Sequence, residues 1–171
     1  MAWSASKIFS AFVTDALNDT AAFNLSVKQC PLRERVFGLR RNSGGRILCD
    51  LNFLDGVFGD GGIYASAEDL VRWDAALRAG TLLPGEVYER AYVPGKLNNG
   101  ASTEYGLGWE IDPPDVVEHW GEWEGFAAHV RRDLRQHVLL VTLSNLGPAE
   151  AVDPLCQEVA GFVSRWDWSA G

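Results

Sequence analysis

The sequence predicts an α+β fold in which helices pack with an antiparallel β-sheet, made of a three-stranded C-terminal meander and a small hairpin. Apolar residues recur at helical spacing in segments that begin near residues 7, 67 and 152, and extended segments broken by turn residues fill residues 36–51 and 105–144. With 171 residues, 47% of them hydrophobic, the chain can fill a core of ordinary size. We therefore expect a single domain over residues 1–171.

Capping residues define the strongest predicted helix. The predicted helices are residues 7–17, 67–79, 84–92 and 152–163. In the second of these, Ser66 can cap the start, Asp69 can return the hydrogen bond, and Gly80 can end the helix. The third begins at Pro84, which costs no hydrogen bond in a first helical turn.

The strands are predicted from extended segments and the turns between them. An Asn-Ser-Gly-Gly turn at residues 42–45 joins residues 36–41 and 46–51 into the small hairpin. The three strands predicted for the meander are residues 105–111, His119 with residues 125–132, and residues 138–144.

The composition excludes several classes of function. A formal net charge of -8 disfavours binding to nucleic acid, since a phosphate backbone needs clustered Lys and Arg, and the short basic runs around Arg35 and Arg131 are expected on solvated strand faces. Apolar stretches reach neither the length of a membrane span nor the pattern of a signal peptide. We expect a cytoplasmic chain with no membrane partner.

Cysteine and histidine spacing argues against disulfides and metals. Three cysteines, with no Cys-x-x-Cys pair, fit neither a disulfide framework nor a zinc site, and the three histidines have no further ligands at metal-binding spacing. We expect no metal and no cofactor. The carboxylates of Glu118, Glu122 and Glu124 are expected to form a solvated strand edge rather than a glycosidase pair.

Two motifs carry a resemblance to a known family. Residues 59–73, Gly-Asp-Gly-Gly-Ile-Tyr-Ala-Ser-Ala-Glu-Asp-Leu-Val-Arg-Trp, resemble the glycine turn and following helix of class C β-lactamases and related esterases, which are penicillin-recognising serine hydrolases. His119-Trp120-Gly121, followed by Gly125-Phe126, resembles the Lys/His-x-Gly motif of the same family. The order of these segments implies that the chain corresponds to the C-terminal half of a β-lactamase/transpeptidase-like domain.

The resemblance implies roles for the residues on one wall of an acyl-transfer site. His119 would supply positive potential and hydrogen bonding, Gly121 would leave room for the acyl group, and the backbone N–H of Glu122 would donate to the oxyanion. Trp120 and Trp123 stand where the family commonly carries small or polar residues, and either indole could stack on an aromatic substrate. The implied substrate is a small ester or amide, such as a β-lactam or a peptide.

The nucleophile of this family belongs to a Ser-x-x-Lys motif, and a Tyr-x-Asn motif follows it. Ser4 and Lys7 have the first spacing, but Tyr-x-Asn does not occur in the sequence, and residues 8–23 already match a later segment of the family. We therefore expect a serine hydrolase fragment that is inactive alone. The alternatives are a minimal hydrolase that uses Ser4 and Lys7, and a non-catalytic module that binds a ligand or a protein. A sheet left open by the missing half implies a homo-oligomer or a complementing chain.

Overall fold

A four-stranded antiparallel sheet organises the fold. The computed structural model describes residues 22–23, 35–50, 63–112, 114–147 and 153–165. In chain order the elements are β1 (Ala22–Phe23), β2 (Leu39–Asn42), β3 (Gly45–Leu48), β4 (Ile63–Tyr64), α1 (Ala67–Arg78), α2 (Gly85–Ala91), β5 (Glu110–Asp112), β6 (Val116–Trp123), β7 (Phe126–Asp133), β8 (Val138–Ser144), β9 (Leu146–Gly147) and α3 (Asp153–Arg165). The α+β class and its antiparallel pairing are confirmed.

The meander has four strands in the order β5-β6-β7-β8, not the three that the sequence predicts. The predicted strand that joined His119 to residues 125–132 is a hairpin of two eight-residue strands, β6 and β7. Its tip is a two-residue loop in which Glu124 adopts a φ of 48°. The first predicted strand, 105–111, is regular only at its end, where β5 pairs with β6. At its start, Tyr105 forms an isolated bridge to Glu110.

The two faces of this sheet are covered by different helices. Residues directly opposite each other on β6 and β7 share a face, so Val117, His119 and Gly121 lie on the same side as Val130 and Ala128. The core of that side includes Leu70 and Trp73 of α1, together with Ala91 and Trp109. On the other side, Ala160 and Val163 of α3 line a small cavity together with side chains of β6, β7 and β8. The sheet is thus the middle layer between α1 and α3.

The helical predictions hold wherever the structure describes them. Ser66 Oγ accepts from Asp69 N at 3.1 Å, and the Asp69 carboxylate accepts from Ser66 N at 2.9 Å, which completes the predicted capping box of α1. Gly80 follows with a φ of 63°, as the stop requires. The opening helix at residues 7–17 and the glycines of the 59–62 turn lie outside the described residues. In the described part of the chain, no helix has the length and apolar character needed to cross a membrane.

A second, small sheet contacts the tip of the β6–β7 hairpin. It has the order β3-β2-β9, with β2 and β3 antiparallel, as the predicted hairpin requires, and β9 parallel to β2. Leu39 N donates to Asn145 O at 2.8 Å and lies 3.3 Å from Gly125 O. The backbone around Gly125 is therefore in direct contact with the start of β2, the middle strand of this small sheet.

Candidate active site

Strand β6 divides the predicted site residues between two faces. Side chains alternate along a strand, so His119, Gly121 and Trp123 lie on the face toward α1, while Trp120 and Glu122 lie on the opposite face. The structure thus brings His119 and Gly121 together, as the motif predicts. Trp120, which the sequence predicts on the same substrate surface, lies on the opposite face from them.

His119 is buried and held by the segment that precedes β5. The residue is only 3% exposed, and its Nδ1 lies 3.2 Å from the hydroxyl oxygen of Tyr105. The two rings meet edge to face, with centroids 6.2 Å apart. The pKa of His119 is lowered from its ordinary 6.5, chiefly by burial. A backbone hydrogen bond with Gly108 raises it in part, and the charge of His129 lowers it further. The imidazole is therefore neutral at pH 7, so it supplies hydrogen bonding rather than the positive charge that the resemblance implies.

This lowered pKa predicts a pH-dependent stability. The unfolded chain binds a proton on His119 at a higher pH than the folded chain, so the free energy of unfolding should fall as pH decreases from 6.5 through the folded pKa. His119→Gln should flatten this part of the profile. Urea unfolding between about pH 8 and about pH 5 measures the change. A slope unchanged by His119→Gln would contradict the prediction.

The backbone of Glu122 is oriented toward the edge of β6 that faces away from β7. Hydrogen-bonded and non-hydrogen-bonded pairs alternate along an antiparallel ladder, and a two-residue loop closes on a hydrogen-bonded pair, here Trp123 with Phe126. Glu122 is therefore in a non-hydrogen-bonded pair with Ala127, and its N–H points away from β7. On that same edge, β5 pairs with residues 116–118. The Glu122 side chain is exposed on the α3 face of the sheet, so its carboxylate does not share the face of His119.

Trp120 stacks on His129, and both side chains lie on the α3 face of the sheet, away from His119. Its ring lies parallel to that of His129, with centroids 3.6 Å apart, and His129 Nε2 lies 3.0 Å from Glu118 Oε2. Glu118 also accepts from Arg131 at 2.8 Å. The hydrogen bond with His129, helped by Arg131, lowers the pKa of the Glu118 carboxyl. The expectation that Glu118 belongs to a solvated edge is wrong, because β6 is an inner strand and Glu118 is paired across it with Arg131.

The family follows from comparison with known proteins. A family model described as Beta-lactamase matches residues 3–160 of this chain. The chain belongs to the Beta-lactamase family. Among curated relatives, it is 35% identical over 97 residues to Penicillin-binding protein 4* of Bacillus subtilis (strain 168), and 27% identical over 90 residues to D-aminopeptidase of Gluconobacter oxydans (strain 621H).

Solved structures of other proteins share this fold. The penicillin-binding protein of Bacillus halodurans matches 88% of this chain with a TM-score of 0.64 and 16% identity. FmtA of Staphylococcus aureus matches 77% of it with a TM-score of 0.60 and 19% identity. The matched regions make up 47% and 35% of those two chains, and 22% and 17% of the two curated relatives. This chain is thus a penicillin-binding-protein-like member of the Beta-lactamase family that spans less than half the length of the relatives it matches.

The remaining predictions for this Beta-lactamase family member concern the nucleophile and a metal site, and one further residue contacts His119. Ser4 and Lys7, the candidate nucleophile and base, lie outside the described residues. Among the residues that the structure describes, no group of three or more metal-binding side chains comes together. Tyr105, which contacts His119, received no role from the sequence, although it opens the Tyr-Gly-Leu-Gly-Trp segment at residues 105–109. That segment, placed just before the His-x-Gly strand, was the available signal.

Proposed function

We propose that this chain forms one wall of a serine acyl-transfer site for a small ester or amide, and that the 171-residue chain has no turnover of its own. One observation carries the proposal: His119 and Gly121 share a face of β6, while the N–H of the next residue, Glu122, points to the edge away from β7. These are the three positions that the Lys/His-x-Gly motif assigns to the wall.

The chemistry of acyl transfer explains what such a wall contributes. Attack on an acyl carbonyl places negative charge on its oxygen, and preorganised N–H donors stabilise that charge. The Glu122 N–H is one such donor, and because it belongs to the backbone, the identity of the side chain is unimportant. Gly121 leaves the space beside the strand open for the acyl group. The buried, neutral His119 offers a hydrogen bond to the nucleophile or the substrate.

The nucleophile and its base are assigned to a second polypeptide segment. Catalysis in this family needs a serine with a lysine one helical turn along. Ser4 and Lys7 have the spacing but lack the accompanying Tyr-x-Asn. A complementing chain that carries such a serine and lysine would complete the site.

Covalent labelling tests whether the chain acts alone. The chain is incubated with a fluorescent penicillin and with a fluorophosphonate, and its mass is then measured. We expect no adduct. An adduct that is lost in Ser4→Ala would replace the proposal with the minimal hydrolase that uses Ser4 and Lys7.

Ligand binding tests the wall directly. In titrations of the 15N-labelled chain with phenylacetamide, a neutral amide, we expect shifts at the Gly121 and Glu122 backbone amides. Gly121→Val should weaken this binding by about tenfold, because the added side chain fills the space beside the strand. The matched variant Glu122→Gln keeps the backbone N–H and should bind within about twofold of the wild type. Equal weakening by both variants, or shifts confined to Trp120 and His129, would refute the wall. The amide spectrum of each variant shows whether it is folded, and Gly121→Ala replaces Gly121→Val if the latter is not.

A further inference from the structure

The hydroxyl of Tyr105 contacts one specific nitrogen of the buried imidazole on the proposed wall. It lies 3.2 Å from Nδ1 of His119, and the planes of the two rings meet edge to face at 63°. Tyr105 belongs to the irregular segment between α2 and β5, and neither its type nor its spacing belongs to the His-x-Gly motif. The contact therefore joins two parts of the chain that are distinct in sequence.

The backbone around Tyr105 is firmly anchored. Its carbonyl accepts from Gly95 N at 2.9 Å and from Thr103 Oγ1 at 2.8 Å, and its bridge to Glu110 ties it to the start of β5. At the next residue, Gly106, a Cβ atom would lie 2.2 Å from Ala91 O, so the chain passes close against the end of α2. The Tyr105 hydroxyl is thus held next to His119 by a backbone that is fixed by these contacts.

The protonation chemistry of this contact fixes more than the position of the ring. A neutral imidazole carries one N–H, on either Nδ1 or Nε2, and a hydroxyl can donate to the nitrogen that lacks the proton. We propose that Tyr105 is a positioning residue that donates its hydroxyl hydrogen to Nδ1 of His119 and so holds the ring proton on Nε2. Within the proposed acyl-transfer wall, on which this consequence rests, His119 then carries its single N–H on Nε2, a buried atom. At this position the wall would then have a neutral imidazole with one defined tautomer instead of the cation that lysine supplies.

Imidazole 15N spectra test the tautomer without reference to activity. Long-range 1H–15N correlations of the labelled chain show which ring nitrogen carries the proton, and His119→Gln identifies the signals of His119. At about pH 8, where histidines are neutral, we expect a protonated Nε2 and an unprotonated Nδ1. Tyr105→Phe keeps the ring and removes the donor, so the ratio of the two tautomers should change by about tenfold, the factor that one hydrogen bond is worth.

A matched control separates this effect from a general loss of a tyrosine hydroxyl. Tyr88→Phe alters α2 but leaves Tyr105 in place, and should keep the wild-type ratio. A proton on Nδ1 in the wild type would overturn the proposal, and so would an unchanged ratio in a folded Tyr105→Phe. If Tyr105→Phe does not fold, the wild-type spectrum decides alone. A confirmed Nε2–H tautomer together with a failed Gly121 and Glu122 experiment would leave the positioning role intact and remove the acyl-transfer wall.

Discussion

Replacing Arg132 with methionine is expected to lower the free energy of unfolding by about 3 kcal/mol. Arg132 is 2% exposed, its Nε donates to Asp74 Oδ1 at 2.6 Å, and its guanidinium donates to the hydroxyl of Tyr92. Its central carbon lies 5.6 Å from the ring centroid of Trp109 and 5.9 Å from that of Trp73. Methionine would keep the apolar stem and remove every one of these polar and cation–π contacts.

The size of this effect depends on what Asp74 retains. Breaking a buried ion pair costs about 3–5 kcal/mol when the remaining charge has no partner. Asp74 still accepts from Arg78 Nε at 2.6 Å, which places the expected loss at the lower end of that range. Urea unfolding, followed by tryptophan fluorescence, measures it.

A surface arginine of α1, the helix that carries Asp74, provides the control. Arg72 pairs with Asp69 at 3.1 Å, but its side chain is 51% exposed, so Arg72→Met should cost no more than about 1 kcal/mol. Similar losses for the two methionine variants would mean that the buried cluster of Arg132 and Asp74 adds nothing beyond a surface ion pair.

The features that sequence predicted well depend on neighbouring residues. The start of α1 follows from Ser66 and Asp69, three positions apart, whose capping bonds need no tertiary partner. The small hairpin follows from its glycine turn, and its two predicted strands are present in shorter form. In each case, the residues that determine the structure are adjacent to it in the chain.

The number of strands in the meander, four and not three, could not be predicted from neighbouring residues in the same way. A two-residue hairpin turn is usually signalled by Asn-Gly or Asp-Gly, whereas here the loop is Glu124-Gly125. A positive φ is uncommon for glutamate. Glu124 adopts it with support from other elements, because its carboxylate accepts from Cys49 Sγ at 3.0 Å and Arg40 donates to its carbonyl oxygen.

Arg131 and Arg132 show how tertiary partners overrule a charge pattern. Both were expected on a solvated face, but adjacent residues of a strand point to opposite sides. Arg132 reaches Asp74, 58 positions earlier in the chain, while Arg131 binds Glu118 across the hairpin. The acids that make burial possible are far away in sequence, so no local pattern could identify them.

For the candidate site, alternation was informative but incomplete. It places His119 and Gly121 on one face, as the motif implies, and it also places Trp120 on the other face, away from the substrate surface predicted for it. The contact of Tyr105 needed the tertiary structure, since its hydroxyl meets a histidine that lies 14 positions later in the chain, beyond β5. The motif residues His119 and Gly121 can therefore be found from the sequence, whereas the hydrogen-bonding partner of His119 cannot.

The hairpin tip next to this wall leads to the second large expected effect, which concerns Gly125. A Cβ atom there would lie 2.2 Å from Leu39 N, 2.4 Å from Gly38 C and 2.5 Å from Cys49 O. All three are backbone atoms, so no side chain can rotate away, and either the small sheet or the β6–β7 loop must move. We expect Gly125→Ala to lower the free energy of unfolding by about 3 kcal/mol, the upper end of the usual cost of overpacking.

A glycine in open space gives the opposite expectation for the same substitution. A Cβ at Gly161 in α3 would meet nothing within 4 Å, so Gly161→Ala should stabilise the chain by up to about 1 kcal/mol through helix propensity alone. Urea unfolding of both variants measures the contrast. If Gly125→Ala remains folded, the displaced loop should also shift the amide signal of Glu122, because only Trp123 separates Glu122 from the loop. A Gly125→Ala variant as stable as the wild type would show that the two sheets can separate at this contact without cost, and the Glu122 N–H would then not be held in place by it.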